Sequence, residues 1–467
     1  MSQDWRAEPF PVGPSSIDEI WVNRDPESIA IVDDAQTITT AHLLAETDRV
    51  ARCLHAMRRR PGEFRVLWVL GSDPTSLISL LATIRAGGVW IGIDRRATET
   101  ERLALIEHAD PALVLDALPV GDAPVELPVT DRADVGALAF TSGTTGAPKG
   151  AVHTIQQLLY PAAAAIETEQ LDHTTRIGTP LPLATLNILL LGPLTALACG
   201  GAAVMMRRAD PAGFAAEVER HGITRALVVP TIVQDLADAG LGPERLATLD
   251  RLIMGGAGFD QARAVAAQEQ LGVPLIGSYG LSEAPTGVAR MTIGESGAVP
   301  LPGVDIRVEA DGQITLAPTE EGPWARCWRG SIGYRGEVDD ALWHAGRLHT
   351  GDVGRFDEHG RLQVAGRMSD MINRGGATIA PREVEAAILA STGVLDAAVI
   401  GLPDPRLGQV VAAAVVGPVD PVALRDGLRE RLSSYKVPER LVVVDEITRN
   451  PGGKVDRAAL QAHFDEI

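Results

Sequence analysis

Residues 141–150 carry a dense set of anion-binding groups. Glycines at Gly143, Gly146 and Gly150 let backbone N–H groups crowd around an anion. The hydroxyls of Thr141, Ser142, Thr144 and Thr145 donate further hydrogen bonds, and Lys149 adds positive charge. The spacing departs from the Walker pattern G-x-x-x-x-G-K-[ST], because Ala147 and Pro148 separate Gly146 from Lys149. Lys149 is one of three lysines in a chain whose combined Lys+Arg count is 42; the others are Lys436 and Lys454, the latter directly after Gly452-Gly453. A lysine kept against such a bias marks a position where a compact ammonium serves and a planar guanidinium fork does not.

Other polar segments punctuated by glycine follow downstream: Gly255-Gly256-Ala257-Gly258, Gly277-Ser278-Tyr279-Gly280-Leu281-Ser282-Glu283, Thr350-Gly351-Asp352 and Gly366-Arg367-Met368-Ser369-Asp370. Taken singly, Glu283 and Asp352 read as solvated carboxylates, Tyr279 as a core aromatic and Arg367 as half of a surface ion pair. Their order along the chain is what gives them a shared purpose. His153 and His349 flank these segments and read as structural histidines.

The elements that must position these groups alternate in the first part of the chain. The apolar run 66–70 reads as a buried strand, 77–86 as a helix, 89–93 as a second strand, 99–107 as a helix and 112–115 as a third strand. Strand 136–140 leads directly into the Gly/Ser/Thr loop, and the pattern recurs at 221–230 and 251–258. Short apolar runs between amphipathic helices predict parallel βαβ units with helices on both faces. From about residue 300 the period changes. Residues 304–309 alternate strictly, Asp311-Gly312 makes a turn and 313–316 return, which predicts an antiparallel hairpin; 354–357 and 361–364 form a similar pair. The tail predicts helix 381–391, strands 395–401 and 409–416, helix 421–433 and strand 440–444. The expected class is therefore α/β: a large N-terminal domain of βα-type subdomains with a small β-rich subdomain, then a small α+β C-terminal domain.

A formal net charge of −19 opposes binding to nucleic acid and to anionic membranes. Residues 177–206 carry no charge, but Pro180, Pro182, Pro193 and several glycines interrupt them, so a buried helix near 186–198 and a strand near 202–206 are expected instead of a membrane span. Cys53, Cys199 and Cys327 are widely spaced and show no zinc spacing, and the first residues lack a basic region followed by an apolar stretch; both point to a cytoplasmic protein.

The segment from Phe140 to Gly150 resembles the phosphate loop of the adenylate-forming superfamily, which comprises acyl-CoA synthetases, peptide-synthetase adenylation domains and beetle luciferases. The others follow in that family's order. The 277–283 segment resembles its Tyr-Gly-x-Thr-Glu motif, with Ser282 in place of threonine, and 348–354 resembles its Thr-Gly-Asp segment. Residues 366–372 resemble its hinge, and Gly452-Gly453-Lys454 its C-terminal lysine loop. The resemblance implies ATP- and Mg²⁺-dependent activation of a carboxylic acid as acyl-adenylate, with release of pyrophosphate. It implies that Thr141, Ser142, Gly143, Thr144, Thr145 and Lys149 hold the β/γ-phosphates, that Glu283 ligates Mg²⁺ and that Ser282 bonds the α-phosphate. Tyr279 would stack on adenine, with Gly255, Gly256 and Ala257 beside it. Asp352 would take the ribose hydroxyls, with Arg367 nearby, and Lys454 would stabilise charge as the adenylate forms. It also implies domain alternation: residues 1–366 as the large domain, a hinge at 367–370 centred on Ser369, and a mobile domain at 371–467 that brings Arg374–Ala377 to a thiol channel. Lys436 is open between a surface role and a nucleotide or CoA contact.

Substrate choice would fall to Thr185, Asn187, Thr231, Gly255 and Gly280. Where many acyl-CoA synthetases have an aromatic-His pair, this chain has Ala184-Thr185; and 177–206 hold no acidic residue to meet an α-amino group. An aryl or other non-α-amino acid is the expected substrate. The acceptor is open between CoA, the phosphopantetheine of a separate acyl carrier protein, and an amine. A free-standing enzyme is expected, and the sequence does not indicate its oligomeric state.

Overall fold

The computed structural model describes residues 17–21, 24–59, 62–141, 149–207, 209–256, 259–284, 286–335, 342–449 and 455–466. Ser142, Gly143, Thr144, Thr145, Ala257 and Lys454 therefore lie outside the described residues, and Thr141 is described by its backbone alone.

Four sheets organise the described residues. In the first, strands run in the order Leu113–Leu115, Arg65–Leu70, Val89–Asp94, Val135–Thr141, Lys149–Thr154; the first four are parallel and the last is antiparallel. Val66 to Leu70 are all buried, as expected of a parallel strand covered on both faces. The intervening helices begin with side-chain caps. Thr98 and Glu101 form a capping box at helix Glu99–Ala109, and Thr154 and Gln157 do so at helix Ile155–Glu169.

The second sheet has nine strands. Its parallel centre runs Leu275–Leu281, Arg251–Met254, Arg225–Val228, Arg176–Thr179, Ala202–Met205, Ile29–Val32, with antiparallel strands at both edges. One large core of buried Leu, Ile, Val and Ala spans these two sheets. The uncharged stretch 177–206 is the expected buried helix and strand. The helix, however, is α over Leu186–Leu189, π over Leu190–Leu194 and α again over Thr195–Ala198. Pro193 has no N–H to give, and the wider π-turn absorbs that loss. No helix among the described residues is long and apolar enough to cross a membrane.

A third sheet is antiparallel and contains the expected hairpin, Val304–Val308 with Gln313–Pro318, beside Arg347–Phe356 and Leu362–Arg367. The chain then makes a short 3-10 turn at Met368–Asp370 and enters the fourth sheet, built from Ile372–Arg374, Ala377–Ile379, Asp396–Asp404, Gly408–Val416 and Arg440–Val443. The third and fourth sheets have separate cores, so the turn joins independently packed units. Two expectations needed correction. The helix anticipated at 421–433 ends at Leu428, with Gly427 weakening its last turn. The strand Lys149–Thr154 was not anticipated, because its small and polar residues give no period-2 apolar pattern.

Candidate active site

The strands on either side of the phosphate-loop segment pair with each other. Val135–Thr141 pairs antiparallel with Lys149–Thr154, and Thr141 lies opposite Lys149 in the register. A Cβ at Gly150 would come within 2.7 Å of the Phe140 ring, so the glycine lets that ring lie against the strand. The outer edge of Lys149–Thr154 carries residues 332–335. Val152 donates its N–H to Gly333 O (2.9 Å), Ile332 donates to Val152 O (3.0 Å) and Arg335 donates to Gly150 O (2.9 Å).

This edge brings in Tyr334, which the sequence reading missed. Its hydroxyl donates to Glu283 Oε1 at 2.6 Å, and Lys149 Nζ lies 5.2 Å from its ring centre. The available signal was an aromatic residue between Gly333 and Gly336 in a chain with four tyrosines.

Ser282 and Glu283 follow strand Leu275–Leu281, and both are half-buried. Two contacts fix their backbone. His153 Nε2–H donates to Ser282 O at 2.8 Å, and Ser331 N–H donates to Glu283 O at 2.5 Å. His153 is fully buried, and burial pushes its pKa down to about 4, so the imidazole is neutral and the carbonyl contact sets the Nε2–H tautomer. No cluster of three His, Cys, Asp or Glu side chains among the described residues forms a metal cage. A lone half-buried carboxylate fits Mg²⁺ that arrives with phosphate oxygens and water, which is how this cation is usually held.

Tyr279, Asp352 and Arg367 meet. Asp352 and Arg367 are opposite one another in the antiparallel pair Arg347–Phe356/Leu362–Arg367, and Arg367 Nε is 3.0 Å from Asp352 Oδ1. Arg367 Nη1 also donates to Thr350 O at 3.0 Å. Tyr279 donates its hydroxyl to Asp352 Oδ2 at 2.7 Å. Burial, and then the adjacent Asp352 carboxylate, push the tyrosine pKa well above its usual range, so it stays a donor.

The candidate pocket residues lie on segments that leave the carboxyl ends of adjacent strands of the nine-stranded sheet. Thr185 and Asn187 follow strand Arg176–Thr179, Thr231 follows Arg225–Val228, Gly255 and Gly256 follow Arg251–Met254, and Gly280 is near the end of Leu275–Leu281. These are the carboxyl ends of adjacent strands, where open parallel sheets bind ligands. Thr185, Thr231 and Gly280 are exposed there, and Asn187 and Gly255 are half-buried. Gly256 has φ +81°, a conformation that favours glycine.

Ser369 lies in the Met368–Asp370 turn and donates to Asp370 Oδ1 at 3.2 Å, while Asp370 pairs with Arg457 Nε at 3.1 Å. Lys436 Nζ is engaged by Glu383 Oε1 at 2.5 Å within the C-terminal unit, and His349 bonds Gln313 Oε1 through Nδ1.

The sequence profile of the AMP-binding enzyme family matches residues 19–127 and 117–324, and that of the AMP-binding enzyme C-terminal domain matches 383–454. The chain belongs to this family and thus to the adenylate-forming superfamily, as an AMP-forming acid–thiol ligase. Among its relatives, a feruloyl-CoA synthase of Amycolatopsis is 30% identical over 94% of this chain and 96% of the relative. The ATP-bound crystal structure of MatB from Rhodopseudomonas palustris superposes with a TM-score of 0.86 at 25% identity, covering 96% of this chain and 98% of that one. The amide bond synthetase McbA from Marinactinospora thermotolerans gives a TM-score of 0.84 at 25% identity over 96% and 98%.

Proposed function

We propose that this enzyme activates an aryl or other carboxylic acid lacking an α-amino group, using ATP and Mg²⁺, and passes the acyl group to the thiol of CoA or of a carrier protein's phosphopantetheine. The observations that carry the reading are two polar clusters, Lys149 and Glu283 around Tyr334 and Tyr279 with Asp352 and Arg367, together with a segment, 177–206, that has no acidic side chain.

In this reading, Lys149 and the loop around Thr141–Thr145 hold the β/γ-phosphates, and Ser282 bonds the α-phosphate. Asp352 accepts from the ribose and Tyr279 stacks on adenine beside Gly255–Ala257. Mg²⁺, held by Glu283 and phosphate oxygens, would offset negative charge on the triphosphate. The substrate carboxylate attacks the α-phosphorus; the new C–O–P bond forms as the Pα–O bond to pyrophosphate breaks. Lys454 stabilises the charge that develops in that step. The thiol then attacks the acyl carbon and AMP leaves. The domain limits proposed are 1–366 and 371–467, turning about Ser369 in 367–370.

The feruloyl-CoA synthase relative favours an aryl acid with CoA as acceptor. The likeness to an amide bond synthetase favours a second reading, in which an amine takes the acyl group from the adenylate. The test is a panel of benzoates, cinnamates, aliphatic acids and proteinogenic amino acids assayed for pyrophosphate release, with CoA, with an amine and with neither. Aryl acids giving pyrophosphate and AMP, with a thioester in the CoA arm, are expected. An α-amino acid turned over about tenfold better than every simple acid, an advantage of ~1.4 kcal/mol, would reject the substrate reading.

A further inference from the structure

We infer that Tyr334 is a positioning residue for the nucleotide–metal site, setting the carboxylate of Glu283 and tying it to the phosphate-loop lysine; this rests on the reading of Glu283 as the Mg²⁺ ligand. One side chain touches both groups. Its hydroxyl donates to Glu283 Oε1 at 2.6 Å, and its ring lies under Lys149 Nζ at 5.2 Å. A phenol serves here for a specific reason. It satisfies an anionic oxygen with a neutral donor. Its ring face attracts the ammonium of Lys149. Tyr334 thereby holds two groups of opposite charge near one another through an aromatic spacer.

The placement of Tyr334 is rigid. Its backbone bridges to Ala151, and the flanking Gly333 O and Arg335 N bond Val152 and Gly150 of the phosphate-loop strand. Ser331, three positions earlier, donates to Glu283 O, and Trp343 Nε1 secures Ser331 O at 2.7 Å. The segment 331–335 thus grips Glu283 at its backbone and at its carboxylate, and grips the phosphate-loop strand with the same few residues. A displacement of the phosphate-loop strand would be transmitted to the carboxylate, and the reverse.

Two substitutions separate the two contacts. Tyr334→Phe removes the hydroxyl and keeps the ring; Tyr334→Leu removes both. Binding of Mn²⁺ in the presence of ATP is followed by the free-ion EPR signal, and metal-free ATP binding in EDTA by calorimetry, with Glu283→Gln alongside and thermal unfolding to confirm folding. Tyr334→Phe should weaken Mn²⁺ binding about tenfold, ~1.4 kcal/mol, and leave metal-free ATP binding within about twofold. Tyr334→Leu should weaken both. If Glu283→Gln loses Mn²⁺ while folded Tyr334→Phe binds it like the parent, the role of Tyr334 is overturned and that of Glu283 stands. Unchanged Mn²⁺ binding in all three variants overturns both readings. Equal weakening of Mn²⁺ and metal-free ATP binding in Tyr334→Phe overturns the division of labour between hydroxyl and ring.

Discussion

Tyr279 and Asp352 stand 73 positions apart in sequence, yet the tyrosine hydroxyl donates to Asp352 Oδ2 at 2.7 Å, while Arg367 takes the other oxygen, Oδ1, at 3.0 Å. The Tyr279 hydroxyl and the Arg367 guanidinium thus both hold the buried Asp352 carboxylate.

Asp352→Asn would keep the shape of that site and remove its charge. We expect the KM for ATP to rise at least about tenfold, from weakened charge-assisted hydrogen bonds worth ~1.5–3 kcal/mol, with the KM for the acid changed less than about twofold. Initial rates of pyrophosphate release against each substrate distinguish these. An unchanged ATP KM would remove Asp352 from the nucleotide site.

Lys454→Ala should cripple adenylate formation by about 10²-fold or more, in the range found for losing an electrostatic transition-state donor. Thioester formation from a supplied acyl-adenylate should fall less than about threefold, well under ~1.4 kcal/mol. Single-turnover assays of the two half-reactions decide the matter. Equal losses in a folded variant would oppose alternation of the two domains.

Arg263, on helix Gln261–Leu271, donates through Nη1 to Leu395 O at 2.6 Å and through Nη2 to Val394 O at 2.7 Å, reaching from the large unit to the turn that precedes strand Asp396–Asp404. Arg263→Ala should loosen that attachment by ~1–3 kcal/mol for two hydrogen bonds. Trypsin should then cut after Arg367, next to the Met368–Asp370 turn, several-fold faster, with the thermal midpoint of the large unit unmoved. Cleavage at the parental rate would show that the two bonds do not hold the units together.

His153 predicts a pH dependence of stability. Its pKa is about 4 in the folded protein against an ordinary 6.5, so the unfolded chain binds more protons between those values. The stability contributed is therefore full above pH 6.5 and is lost as the pH falls towards 4, by an amount on the order of 3 kcal/mol. His153→Gln retains a donor for Ser282 O and removes the titration. Thermal midpoints of parent and variant between pH 7.5 and 4.5 should diverge, with the variant falling less. Parallel curves would mean that His153 does not titrate in this window.

The sequence alone determined the class of chemistry and most of the elements. Strands 66–70 and 89–93, the hairpin at 304–316 and the change from βα alternation to antiparallel strands are legible because hydrophobic period is a local property of the chain. The glycines and hydroxyls of 141–150, with Lys149, are legible for the same reason: they are consecutive in sequence. Tertiary structure alone decided which side chains are joined across the fold. Tyr334 gave only the faint signal of an aromatic between glycines, because its role comes from pairing with Ala151 at the edge of a strand that is itself marked by no apolar pattern. His153 meets the carbonyl of Ser282 across 129 positions, and the strands that lead into Thr185, Thr231 and Gly255 stand side by side through parallel pairing. Such contacts depend on strand order and register, which non-local hydrogen bonding and core packing settle together and which no local window of sequence encodes.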